Sequence, residues 1–207
     1  MKVAIVGGTG AFGRALGARL AASGYDVLLG SRDPARAQQR AAVLGVEGGS
    51  NDEVVREADL VVLAVQSGAA VETARELAPV IGEAPVLCVA SDLRFTPEGV
   101  FPGRNEGSIA EDVAEIVSGP VVSGFQTLPA AHLESPEPPD EDALVCGDDL
   151  ASKELVLALA AKLVQGRALD AGPLANSRAL EGLTAIILHV NKRYRVLAGL
   201  RVTGFRD

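Results

Sequence analysis

Aromatic residues are scarce in this 207-residue chain: they make up 3% of it, and tryptophan is absent. Few side chains are therefore available as the stacking platforms that hold single-stranded nucleic acid. Positive charge is also short, with 19 Lys and Arg against 27 Asp and Glu and a formal net charge of -8. A polyanion would be repelled over most of the surface, so no nucleic-acid partner is expected. Only two cysteines and two histidines occur. Cys88 in "VLCVA" and Cys146 in "ALVCGD" read as small buried hydrophobes, and neither shares metal-ligand spacing with His132 or His189, so no metal is expected. Long hydrophobic runs are missing as well. The apolar stretches are strand-sized and the chain enters "KVAIVGG" directly, so the reading is a cytoplasmic protein with no membrane partner.

What is present is 48% hydrophobic residues, mostly Ala, Val and Leu, in a length that suits one generous domain or a standard domain with an appendage. Residues 2–6 read as a buried strand and "AFGRALGARLAASG" as a helix with Phe12, Leu16 and Leu20 on one face and Gly24 as its stop. "DVLLGSR" reads as a strand, "PARAQQRAAVLG" as a helix opened by Pro34, and "DLVVLAV" and "APVLCVA" as strands flanking the helix "SGAAVETARELAPVI". Apolar strands alternating with helices predict an α/β fold, a Rossmann-type doubly wound and mostly parallel sheet. Residues 91–107 carry turn residues without a period and are read as a long loop, followed by the helix "SIAEDVAEIV" and the strand "PVVSGF".

After residue 125 the chain changes style. An acidic, proline-rich stretch within 127–145 reads as a solvated surface loop. Then come a strand "ALVCGD", a helix over about 150–164, a strand "RALDAG" and a helix over about 177–194. The pattern predicts a dinucleotide-binding domain over 1–125 and a small C-terminal α/β domain over 126–207. Leu180, Leu183, Ile187, Val190 and Tyr194 recur at helical spacing in the last helix, a stripe suited to core or dimer packing. Asn176 or Ser177 is the expected cap of that helix, and Asp148 and Asp149 are expected at the start of the preceding one.

Gly8, Gly10 and Gly13 fit G-x-G-x-x-G between a strand and a helix, the setting in which that motif cradles a dinucleotide pyrophosphate at a helix N-terminus. At the end of the second strand an NAD protein places an acid against the ribose hydroxyls. Here stand Ser31 and Arg32, with Arg36 a turn later, and a hydroxyl with two guanidiniums suits the 2'-phosphate of NADP(H).

Taken with "GSRDPAR", "CGDD", "DAGPLANSRALEGLT" and "NKRYRVLAGLRVTG", the turn gives a chain that resembles, nearly end to end, the NADP-dependent oxidoreductases of the 5-deazaflavin coenzyme F420. The resemblance implies hydride transfer between NADP(H) and coenzyme F420 in a homodimer. It places Thr9, Gly10, Ala11 and Phe12 beside Gly8 at the pyrophosphate, and Ser31, Arg32 and Arg36 at the 2'-phosphate. Val65, Gln66, Ala90 and Ser91 would line the nicotinamide end. Thr127, Leu128, Pro129 and Ala130 would lie under the deazaflavin ring. Many relatives read Pro-Trp at Gln66-Ser67, Asn-Pro at Ser91-Asp92 and His at Gln126, so the cofactor half follows the family and the acceptor half departs from it.

No covalent nucleophile is required, because the expected catalysis is the positioning of two rings. His132 is the nearest candidate for a proton relay, ahead of His189 inside the last helix. The basic group Lys192, Arg193 and Arg195 reads either as a solvated helix end or as a contact for the acidic tail of the deazaflavin. Two rival readings remain: an NADP-dependent reductase of another small acceptor, and a non-catalytic NADP sensor.

Overall fold

The computed structural model describes residues 1–205. The strands β1 (Lys2–Val6), β2 (Asp26–Ser31), β3 (Glu47–Ser50), β4 (Leu60–Leu63), β5 (Val86–Cys88) and β8 (Val121–Gly124) run parallel, and β9 (Ala143–Gly147) with β10 (Ala168–Asp170) extends the same sheet. The order across the eight strands is β10-β9-β8-β5-β4-β1-β2-β3, and β9 pairs antiparallel to β8. The chain moves one way from β1 to β2 and the other way from β1 to β4. The crevice beyond the carboxyl ends of β1 and β4 is therefore the topological switch point at which open α/β sheets bind ligands.

Alternate residues of each strand face opposite layers. Val3 and Ile5 of β1 pack with Leu16 and Leu20 of α1 (Ala11–Ala22) and with Val156 and Leu159 of α7 (Leu150–Leu163). Ala4 and Val6 pack into the other layer, with Val54 of α3 (Asn51–Arg56), Ala74 and Leu77 of α4 (Ser67–Ile81) and Ile109 of α5 (Ile109–Ala114). Helix α2 (Pro34–Leu44) buries only Ala37 and Ala41, with Pro34 in its first turn, Asp33 accepting from the Arg36 N–H, and left-handed Gly45 ending it.

Several local expectations give way to tertiary contacts. Residues 91–107 hold an antiparallel hairpin, β6 (Leu93–Thr96) with β7 (Gly99–Pro102), rather than an irregular loop. All but one of its strand residues are exposed or half exposed, so no apolar alternation marks it in the sequence. The short β3-α3 unit passes unread for a similar reason: "EGGS" has no strand composition and is held as an edge strand beside β2. Only part of the acidic stretch is solvated. Buried Arg19 of α1 donates to the carbonyl oxygens of Leu133, Ser135, Pro136 and Glu137, while Glu141 and Asp142 are buried.

The last helix, α8 (Ser177–Tyr194), has the expected bounds but neither expected cap. Asn176 Nδ2 donates to Ala171 O, and Ser177 Oγ donates back to Leu174 O, because a 3-10 turn over Leu174–Asn176 leads into the helix. Asp149 caps α7 through the Ser152 N–H, whereas Asp148 accepts from the Leu174 N–H instead. Leu180 is buried, but Tyr194 at the far end of the stripe is 70% exposed.

Candidate active site

The loop after β1 is built for a backbone to approach an anion. Gly7 adopts φ 84°, and a Cβ on it would lie 2.6 Å from Ala64 O, so neither the conformation nor the space admits a side chain. A Cβ on Gly13 would lie 2.6 Å from Gly7 O, which lets α1 start directly against the turn. Helix α1 has no side-chain cap and no acid in its first turn, so its N-terminal face is left to a ligand. These are the features a bound pyrophosphate requires.

A cleft of about 410 Å³ opens from this turn. Its walls include Thr9 and Gly10 at one end, Ser31, Arg32 and Arg36 along one side, and Val65 and Gln66 at the other end. Ser31 Oγ accepts from the Asp33 N–H at 3.2 Å, which leaves the hydroxyl proton available to an anion. Arg32 and Arg36 are exposed beside it. Gly8 sits behind the turn, its N–H donating to Ile5 O and Gly30 O, and Ala11 opens α1 without lining the cleft. Asn51 and Thr73 also line it; both lie on helices α3 and α4, and no motif in the sequence marks them.

A second cleft, of about 340 Å³, shares Ala64 and Val65 with the first and continues from it. Phe12 of α1 forms one wall, and Ala90 and Ser91, just beyond β5, another. The floor is the turn after β8: Phe125, Gln126, Thr127, Leu128 and Pro129. Buried Phe125 holds φ 73°, a strained conformation for a bulky residue, and its carbonyl accepts from the Leu128 N–H to close the turn. Gln126 Nε2 donates to Cys88 O at 3.1 Å and Ser123 Oγ at 2.8 Å, tying that turn to β5. Helix α8 covers the remaining side with Thr184, Leu188 and Asn191, and Leu197 follows from the tail. Those four come from the far end of the chain, and nothing local in the sequence singles them out.

Ala130, at the start of α6 (Ala130–Leu133), packs on the core and lines neither cleft. His132 lies outside both; its Nδ1 pairs with buried Glu141 on a separate cleft under the tail. Burial pushes the Glu141 carboxyl above its usual range against the pull of His132. Both cysteines are free and buried, and burial raises their thiols to about 12 for Cys88 and about 11 for Cys146. They are protonated and unreactive at neutral pH.

Of the departures from the family pattern, Asp92 has the plainest structural role. Its carboxylate takes Arg104 Nε at 2.9 Å, and its N–H donates to Glu181 Oε2 at 3.2 Å. Glu181, 3% exposed, also accepts from the Ile109 N–H at 2.8 Å, and so joins α8 to the hairpin and to α5. Desolvation pushes its carboxyl up to about 7, partly offset by those backbone donors and by Arg104.

A glycine cradle at the switch point, a basic pocket at the end of β2 and a joined apolar cleft define the class: a doubly wound dinucleotide-binding oxidoreductase fold. Residues 2–90 match the family described as NADP oxidoreductase coenzyme F420-dependent. The chain is 33% identical to the F420-dependent NADP reductase of Methanothermobacter thermautotrophicus, covering 100% of this chain and 97% of that protein. It is also 33% identical to the protein of the same name from Methanocaldococcus jannaschii, over 98% of each. Among solved structures, a putative F420 dependent NADP-reductase from Arthrobacter sp. FB24 has a TM-score of 0.88 at 23% identity, over 99% of this chain and 100% of that one. The chain belongs to the coenzyme F420-dependent NADP oxidoreductase family.

Proposed function

We infer that this protein is an oxidoreductase that transfers a hydride between NADP(H) and the 5-deazaflavin coenzyme F420. The observation that carries this reading is the continuity, through Ala64 and Val65, of a basic, glycine-floored cleft with an apolar one. Bound there, the two substrates supply the whole redox couple; the chain holds them and excludes water. Thr9 and Gly10 with the start of α1 at Ala11 are assigned to the pyrophosphate, Gly8 to shaping the turn behind it and Phe12 to the wall where the two clefts meet, and Ser31, Arg32 and Arg36 to the 2'-phosphate. Val65, Gln66, Ala90 and Ser91 are assigned to the nicotinamide end, and Thr127, Leu128 and Pro129 to the deazaflavin, with Ala130 backing that turn from the core. The position of His132, paired to Glu141 away from both clefts, supports a scheme in which solvent provides the proton.

The division at residue 125 is proposed as a functional one, because the strands after it extend the same sheet while the turn at 125–129 floors the second cleft. A homodimer is proposed on the exposed apolar side chains of α8 and the tail: Ile186 at 59%, Tyr194 at 70%, Val196 and Leu197 at 50%. The cytoplasm is the proposed compartment. No helix among the described residues is long and apolar enough to cross a membrane.

The test is to mix the protein with NADPH and oxidised coenzyme F420 and follow the visible absorbance of the deazaflavin, with NADH and FMN in parallel. NADPH-dependent bleaching is expected. Binding of NADPH without bleaching would overturn the assignment of the acceptor.

A further inference from the structure

In the second cleft, which joins the first at Ala64 and Val65, hydroxyl groups from two distant elements meet. Ser91 Oγ, beyond β5, and Thr184 Oγ1, on α8, lie 3.0 Å apart across 93 residues of sequence. Thr184 Oγ1 also lies 3.0 Å from the main-chain oxygen of Gln126. A carbonyl oxygen can only accept, so the single proton of Thr184 goes to Gln126 O. Thr184 then has none to give Ser91, and the Ser91 hydroxyl must be the donor in that pair. The only side-chain proton of Ser91 is committed, and its oxygen offers the cleft lone pairs alone.

The order of donors is itself held in place. Both amide protons of the Gln126 side chain are directed to Cys88 O and Ser123 Oγ, which fixes the segment whose carbonyl orients Thr184. Ser91 and Thr184 are both half exposed and both line the second cleft, which shares Val65 with the first. A ligand group meeting Ser91 at this joint must therefore bring a donor.

We propose that Thr184 is a positioning residue that fixes Ser91 as a hydrogen-bond acceptor for the carboxamide N–H of the nicotinamide. The inference rests on the NADP(H) assignment. It gives α8 a part in orienting the pyridine ring, beyond covering the acceptor cleft. A carboxamide held by its N–H has one of two flips, and the flip sets how the ring lies in the joint.

The test compares binding of NADP+ with that of its 3-acetylpyridine analogue, whose acetyl group has no N–H, by calorimetric titration without any deazaflavin. The wild-type protein is expected to prefer NADP+ by about 3- to 10-fold, the yield of one net hydrogen bond. Ser91→Ala and Thr184→Val should bind the two nucleotides equally, and Thr184→Ser, which keeps the hydroxyl, should restore the preference. Because each preference is a ratio within one protein, a general loss of affinity does not imitate the effect. A wild type without preference, or a preference surviving in either Ser91→Ala or Thr184→Val, overturns the proposal. So does a finding that Ser91→Ala changes only the Michaelis constant for coenzyme F420, which would move the donor to the deazaflavin ring. A wild type that binds neither nucleotide overturns both this inference and the NADP(H) reading. A preserved preference without F420 reduction would sink the acceptor assignment alone.

Discussion

The first cleft takes its glycine turn and basic side chains from residues 7–36, one run of turn, helix and strand end, whereas the second takes its walls from segments as distant as Phe12 and Leu197. The first is built largely from backbone: glycines that admit no Cβ, an uncapped helix start, and side chains at the end of a buried strand. The second rests on side chains meeting across the fold: Ser91 with Thr184, Gln126 with Cys88, Asp92 with Glu181. The difference teaches that the two halves should fail differently. Damage to the first is local and abrupt, while damage to the second is transmitted through packing.

The sharpest way to break the first cleft is Gly13→Val. Its Cβ would meet Gly7 O at 2.6 Å, and backbone cannot yield as a side-chain tip can. NADPH binding, followed by nucleotide fluorescence, is expected to vanish, and overpacking should lower stability by about 1–3 kcal/mol. Next in size is the double change Arg32→Ala with Arg36→Ala. Each charge-assisted hydrogen bond contributes about 1.5–3 kcal/mol, so the Michaelis constant for NADPH should rise on the order of 100-fold or more while that for NADH stays within about 2-fold. Equal losses for both nucleotides would remove the 2'-phosphate assignment.

Arg19 tests how far the clefts are independent. It lies on α1, which begins at the glycine turn, yet it donates to carbonyl oxygens in the segment following the acceptor platform. Arg19→Met keeps the apolar stem and leaves those carbonyls unpaired, a cost of about 2–4 kcal/mol in urea unfolding. The Michaelis constant for coenzyme F420 should rise while NADPH affinity holds. Loss of both together would show the halves to be one mechanical unit.

The smallest effect concerns pH. Glu181 has a folded pKa of about 7, above the ordinary 4.5, so the folded protein holds this proton more firmly than the unfolded chain. Its contribution is fully present below 4.5 and is lost as pH rises through about 7. A tenfold difference in proton affinity is worth about 1.4 kcal/mol, so the loss is on the order of 3 kcal/mol at most, and other groups titrating in the same window will partly mask it. Between pH 5 and pH 8 the denaturant midpoint of the wild type should fall relative to that of Glu181→Gln, whose amide does not titrate. A gap that does not change with pH would mean that the ionised carboxylate is fully compensated by the Asp92 and Ile109 N–H groups.

Reading "IVGGTGAFG" with "GSRDPAR" located the first cleft because each requirement there is short-range. A positive φ calls for glycine at Gly7, and the end of β2 delivers Ser31 and Arg32 within six residues of Asp26. The hairpin over residues 93–102 was not legible. Its strands are largely exposed and take their place from α8, where His189 Nε2 meets Val100 O at 2.9 Å and the His189 ring stands edge-on to Phe101. Thr184, Leu188 and Asn191 were equally silent, because in an amphipathic helix a cleft-lining residue carries the same pattern as a core-facing one.

By itself the sequence determined the alternation of strands and helices, the bounds of α8, the glycine turn and the basic end of β2. Period, caps and glycine stereochemistry act over a few residues, and a few residues suffice to record them. Tertiary structure alone decided that β9 would run antiparallel and extend the same sheet, that Arg19 would clamp the acidic segment, and that Thr184 would orient Ser91. Those choices depend on which buried polar groups find partners once the layers close, and that accounting exists only in the folded chain.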